Sequence, residues 1–151
     1  MVTPLTPHFS LEQMLFSQTA ARRGLDNTPD MGARRNLARL AATLEQVRTP
    51  LHGVPLLISS GYRAPSVNQA VGGASNSAHT RGLAVDFTAP QFGSVLATAT
   101  AVAECGIAFD QIICEYGRWV HLAIADIDVA PRAQLLSIGA DHVYVEGLHA
   151  V

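Results

Sequence analysis

The run from Phe109 to Ile124, FDQIICEYGRWVHLAI, constrains this chain more than any other stretch. Two apolar segments of strand length flank Tyr116-Gly117, a separation that fits a tight turn and an antiparallel hairpin. Two further segments are strand-like. LAVDF (83–87) alternates as a sheet residue series does, and VPLLISS (54–60) reads as a short buried strand by its length and flanks.

Helical patterns come mostly before these strands. Ser10 can cap a helix, Gln13 can close a capping box and Phe9 can staple onto Met14, so a helix is expected from here to about Ala21. ARRGLDNTPD (21–30) follows as a loop, with Asp30 or a neighbour as the next cap. Leu37, Leu40, Leu44, Val47 and Leu51 recur at steps of three and four, the stripe of an amphipathic helix, which Pro50 and Gly53 end. SGYRAPSVNQAVGG (60–73) reads as a loop with at most one helical turn. An Ala-rich helix is expected from about Pro90 to Glu104, stopped by Gly106. RAQLLSI (132–138) fits strand or helix, and HVYVE (142–146) fits a last strand. Helices early and strands late predict an α+β fold, a small antiparallel sheet with helices packed on one side. At 151 residues one domain, 1–151, is expected.

Several function classes find no support. The formal net charge is -2 and all ten basic residues are Arg, which gives no reason to expect nucleic acid or an anionic membrane as partner. No apolar run approaches the ~20 residues of a membrane span. MVTPLTPHFS (1–10) lacks a basic stretch followed by an apolar core, so no secretory signal is read and a soluble chain made in the cytoplasm is expected. Cys105 and Cys114 lack CxxC spacing, and two buried thiols are the expectation.

The chemistry concentrates in a few residues. Alternation along LAVDF puts Ala84 and Asp86 on one face; along RWVHLAI it puts Trp119, His121 and Ala123 together. If the two strands are neighbours, Asp86 and His121 converge, and His79 can reach in from the loop before the first. His, Asp and His suit zinc at about 2.0–2.2 Å and leave a fourth position for water, as in catalytic sites. A dication beside one carboxylate keeps a positive charge that lowers the pKa of water and polarises a carbonyl. A strand histidine is also an ordinary core or surface residue, and a lone aspartate an ordinary cap. The residues alone therefore leave both readings open. His8, His52, His142 and His149 have no comparable context and read as exposed or capping.

Taken together, SGYRAPSVNQAVGGASNSAHTRGLAVDF (60–87) and FDQIICEYGRWVHLAI resemble the zinc D-Ala-D-Ala carboxypeptidase family of peptidoglycan peptidases. That family includes vancomycin-resistance dipeptidases, phage endolysins and the hedgehog signalling domain. The matching motifs are Ser77-Ala78-His79, Gly82-Leu83-Ala84-Val85-Asp86 and Trp119-Val120-His121, with SGYR, Asn68 and Gly72-Gly73 upstream. The resemblance spans roughly Phe9 to Ile124, and HFSLEQM and ARRGLDNTP are similar to its phage and prophage branch.

The resemblance implies that His79, Asp86 and His121 hold Zn2+, and that Arg63 binds a substrate carbonyl or carboxylate and stabilises developing negative charge. Trp119 would line the substrate cleft, and Ser77 would line it, hydrogen-bond a ligand or hold its own turn. Many relatives carry an acid three positions before the last histidine, where this chain has Arg118. Glu115 is then the expected general base, with Asp110 as the alternative. The implied activity is hydrolysis of a peptide bond in peptidoglycan stem peptides or cross-links, by a carboxypeptidase or endopeptidase acting on the bacterial cell wall in phage lysis or wall remodelling. A metal-retaining module that binds wall peptides or a protein partner without cutting is the rival reading.

Overall fold

The computed structural model describes residues 1–151. A short hairpin, β1 (Pro4–Thr6) and β2 (Phe9–Ser10), leads into α1 (Leu11–Leu15) and α2 (Gln18–Arg23). The expected capping box is formed: Ser10 accepts from the Gln13 backbone N–H while the Gln13 side chain accepts from the Ser10 N–H. The helix does not continue to Ala21. Phe16 turns extended, and Ser17 starts α2 afresh by accepting from the Ala20 N–H. A new cap satisfies the donors that the break would otherwise orphan.

Asp30 caps α3 (Met31–Arg48), the long helix, through the Ala33 N–H. The leucine stripe is fully buried, with Leu51 following just past the helix end. Next come β3 (Leu57–Ser60), α4 (Pro65–Ala70), a 3-10 turn (Ala78–Arg81), β4 (Ala84–Thr88) and α5 (Val95–Glu104). Two expectations are corrected here. α5 begins at Val95, capped by Ser94, rather than near Pro90. The 54–60 segment is buried only in part: Leu56 joins the core, but β3 is an edge strand, with Leu57 53% exposed. Strand length and flanks identify a strand without saying whether a neighbour covers it on both sides.

β5 (Gln111–Glu115) and β6 (Trp119–Ala123) form the expected hairpin, and β7 (Gln134–Ile138) and β8 (Tyr144–Glu146) complete the sheet. Its order is β3-β4-β6-β5-β7-β8. All pairs are antiparallel except β5 with β7, which run parallel, so the sheet is mixed. The fold is α+β. One sheet face, carrying Val85, Phe87, Ile112, Cys114, Val120 and Leu122, joins the α3 stripe and Ala99 and Val102 of α5 in one cluster of 27 buried residues. Burying that face against the helices is the main stabilising term, and it leaves the opposite face for polar chemistry. Of the cysteines, Cys114 is buried as expected, but Cys105 is exposed at the end of α5. No helix is long and apolar enough to cross a membrane.

Candidate metal centre

Strand register decides which side chains meet. β4 and β6 are neighbours, and Asp86 stands directly opposite His121. Residues opposite one another share a face, so carboxylate and imidazole emerge together; Asp86 Oδ1 lies 2.9 Å from His121 Nδ1. The 3-10 turn supplies His79. Ser77 caps that turn, accepting from the His79 N–H at 3.3 Å, and Gly82 ends it at φ +72°. A Cβ at Gly82 would lie 2.5 Å from the Ala33 carbonyl oxygen, so only glycine lets the turn sit this close to α3. Asn36 of α3 fixes the same turn by donating to the Arg81 carbonyl at 2.9 Å.

His79, Asp86 and His121 are 2%, 6% and 8% exposed. His79 Nδ1 lies 2.7 Å from the Gly61 carbonyl, which makes Nδ1 the protonated nitrogen and leaves Nε2 a free lone pair. That Nε2 is buried and has no hydrogen-bond partner; it lies 3.3 Å from Asp86 Oδ1 but poorly aligned with it. A buried orphan nitrogen carries a desolvation cost that needs an explanation. A cation provides one. One donor atom from each of the three residues lies within 4.8 Å of the others, and two ligands ~2.1 Å from a tetrahedral ion are about 3.4 Å apart. The donor set and the spacing fit a metal ion.

The protonation states agree with that role. Burial pushes the His79 imidazole below its ordinary pKa, against the pull of Asp86. Burial works to raise the Asp86 carboxyl, but His121 and His79 outweigh it and hold the group ionised below the usual carboxylate range. A neutral imidazole at His79 and an ionised carboxylate at Asp86 are ligand forms that a divalent ion needs.

Arg63 borders the group, with Nη2 3.6 Å from Asp86 Oδ2. Its Nε donates to Ser60 Oγ and its Nη1 to Asn68 Oδ1, both at 3.1 Å. A Cβ at Gly73 would lie 2.0 Å from Asn68 Oδ1 and 2.8 Å from Arg63 Nη1, so the glycine leaves room for this clamp. The Arg63 loop is itself anchored by Asn27, which accepts from the Ala64 N–H at 2.7 Å and donates to the Leu15 and Tyr62 carbonyls. Sequence reading missed Asn27 and Asn36. Asn36 had a signal, a polar residue beside the apolar stripe of α3; Asn27, in a polar loop, had none.

Glu115 reaches the site through the β5–β6 turn. Tyr116 (φ 58°) and Gly117 (φ 62°) are both left-handed, the two-residue turn that matches strand twist, and Arg118 N–H donates to the Glu115 carbonyl at 2.9 Å. This sets Glu115 opposite Trp119. Trp119 Nε1 donates to Glu115 Oε2 at 3.0 Å, and Glu115 Oε1 lies 3.8 Å from His121 Nδ1. Burial first, then the Asp86 charge, raises the Glu115 carboxyl above its ordinary value. Arg118 alternates to the other face and lines a cavity of ≈ 370 Å³ with Pro90, Ser94 and Val95. Asp110 stands at the far end of β5, accepting from Arg132 Nη2 at 2.7 Å. The structure thus brings Arg63, Glu115 and Trp119 to the His79–Asp86–His121 group, uses Ser77 as a cap beneath it, and keeps Asp110 away.

The family model for Peptidase M15 matches residues 7–123, which include every one of these residues. The chain belongs to the peptidase M15 family. A comparison with curated proteins gives no match. Membership makes this M15 chain a metallopeptidase by family, and its buried His-Asp-His group is the place that could hold the ion.

Proposed function

We propose that this M15 protein is a zinc peptidase that hydrolyses a peptide bond in bacterial peptidoglycan stem peptides or cross-links. The observation that carries the reading is the buried, partnerless Nε2 of His79, facing Asp86 and His121 with a raised carboxyl alongside. His79 Nε2, Asp86 Oδ1 and His121 Nδ1 would hold the ion. Zinc bound there supplies Lewis-acid polarisation of a carbonyl and makes water acidic enough to be deprotonated near neutral pH.

Each surrounding residue then has a task. Glu115 accepts the proton of the attacking water and returns it to the leaving amine; a raised carboxyl pKa suits a group that must both take and give a proton. Trp119 Nε1 holds Glu115 by its Oε2, which leaves Oε1 turned toward His121 and the reacting centre. The Arg63 guanidinium, fixed by Ser60 and Asn68, stabilises negative charge developing on the scissile carbonyl oxygen without having to reorganise. Gly61 holds His79 in the tautomer that offers Nε2.

Chain 1–151 acts in this reading as one catalytic domain on the bacterial cell wall, in phage-driven lysis or wall remodelling. The test is to incubate the zinc-loaded protein with purified wall and identify new amine and carboxyl ends by mass spectrometry. Peptide cleavage that stops on zinc removal is the expected result. Intact wall peptides in the presence of a correctly zinc-loaded protein would overturn the reading.

A further inference from the structure

The last strands of the sheet, β7 and β8, lie beyond residues 7–123, the part matched by the family model. They nevertheless extend the face that carries the metal centre. Trp119 pairs with Glu115, Glu115 with Ile138, and Ile138 with Tyr144, so these four form one row on one sheet face. It is the face of Asp86 and His121, because Trp119 and His121 are two residues apart on β6.

Tyr144 ends that row on β8, and the residue is 56% exposed. From β4 to β8 is four strand spacings, about 19 Å in a flat sheet. The Tyr144 phenol is raised above its ordinary pKa, first by burial and then by the charges of Glu115, Tyr116 and Asp86. Tyr116, whose ring lies 5.6 Å from that of Trp119, adds a further aromatic group near the turn.

We propose that Tyr144 is a specificity-determining residue, forming the far wall of the substrate cleft and hydrogen-bonding the bound peptide through its hydroxyl. The peptide then lies across the strands, with Arg63 toward one end, Glu115 at the centre and Tyr144 toward the other. Tyrosine suits the task, since it offers a large rigid face and a neutral donor with little conformational freedom to lose. At ~3.3 Å per extended residue, reaching from the metal centre to Tyr144 takes several residues, so the site favours a stem peptide over a dipeptide.

The inference rests on the peptidase reading, and one experiment separates the two. Trp119 is the chain's single tryptophan, so its fluorescence reports binding at the site. Zinc-loaded Glu115→Gln protein is titrated with a wall-derived pentapeptide and with its terminal dipeptide, with and without Tyr144→Ala or Tyr144→Phe. The expected result is about tenfold weaker pentapeptide binding for Tyr144→Ala and a smaller loss for Tyr144→Phe, with dipeptide affinity and zinc content unchanged. Pentapeptide binding unaltered in both variants overturns the role of Tyr144 alone. Equal losses for both peptides also overturn it, as the mark of a general structural defect. Should Tyr144→Ala fail to fold, Tyr144→Phe decides. If the parent binds neither peptide and the wild type cuts neither, the peptidase reading falls and this inference with it.

Discussion

Two acids stand at opposite ends of the hairpin strand β5, and their surroundings give them opposite characters. Asp110, just before the strand, takes hydrogen bonds from Arg132 Nη2 and Nε and from the Arg132 backbone N–H. Those bonds, the side-chain ones foremost, lower its pKa. Glu115, at the strand's end, has no arginine of its own. Burial and the Asp86 charge raise it, while Trp119 offers one neutral hydrogen bond. A carboxylate that is already neutralised has nothing left to do but hold structure. One that is desolvated beside another negative charge is ready to accept a proton.

Four experiments test this contrast. Metal removal has the largest expected effect. Chelation, or His79→Ala, should reduce hydrolysis to background, and at 100 times its Kd the ion should stabilise the fold by about 2.7 kcal/mol. Calorimetry with and without zinc checks this; a metal-independent rate would detach Glu115 from any such chemistry. Next, Glu115→Gln should lower kcat by roughly 10²–10⁴-fold with zinc content intact, while Asp110→Asn changes kcat by less than about twofold. Steady-state kinetics showing the reverse order would exchange the roles of the two acids.

Trp119→Phe removes the hydrogen bond that lowers the Glu115 pKa. The acid limb of kcat/KM should then move to higher pH, lowering the rate near that limb and leaving the plateau unchanged, read from a pH–rate profile. The smallest effects are on stability, and their signs differ. Asp110 titrates below its ordinary 3.8, so the fold binds fewer protons than the unfolded chain there, and this contribution fades as pH falls through the folded pKa. Glu115 titrates above its ordinary 4.5, so in the metal-free protein stability falls as pH rises past that value. Denaturation against pH should show Asp110→Asn losing up to about 1 kcal/mol near neutrality and nothing in strong acid. Glu115→Gln in the metal-free protein should abolish the decline.

Much of this site could be read before the fold was seen, because period-two alternation assigns faces and assigning faces selects side chains. Parity sets Trp119 with His121 on one face of their strand and Asp86 with Ala84 on one face of its own, and residue type identifies the Tyr116-Gly117 turn. Local signals failed where two structures satisfy the same local rules. The run from Ser10 to Ala21 supports one helix or two, and only the second cap at Ser17 separates them. VPLLISS is apolar enough for a central strand yet forms an edge, and Tyr144 gave no sign of belonging to a site.

Most of the elements and the tight hairpin were legible in the chain itself, since propensity, capping and periodicity act over a few residues. Only the tertiary structure decided that β4 lies beside β6, setting Asp86 opposite His121; that β7 runs parallel to β5; and that Asp110, not Glu115, meets Arg132. Those outcomes depend on pairings between strands far apart along the chain. They are fixed by how the whole apolar face is buried, which no short window of residues encodes.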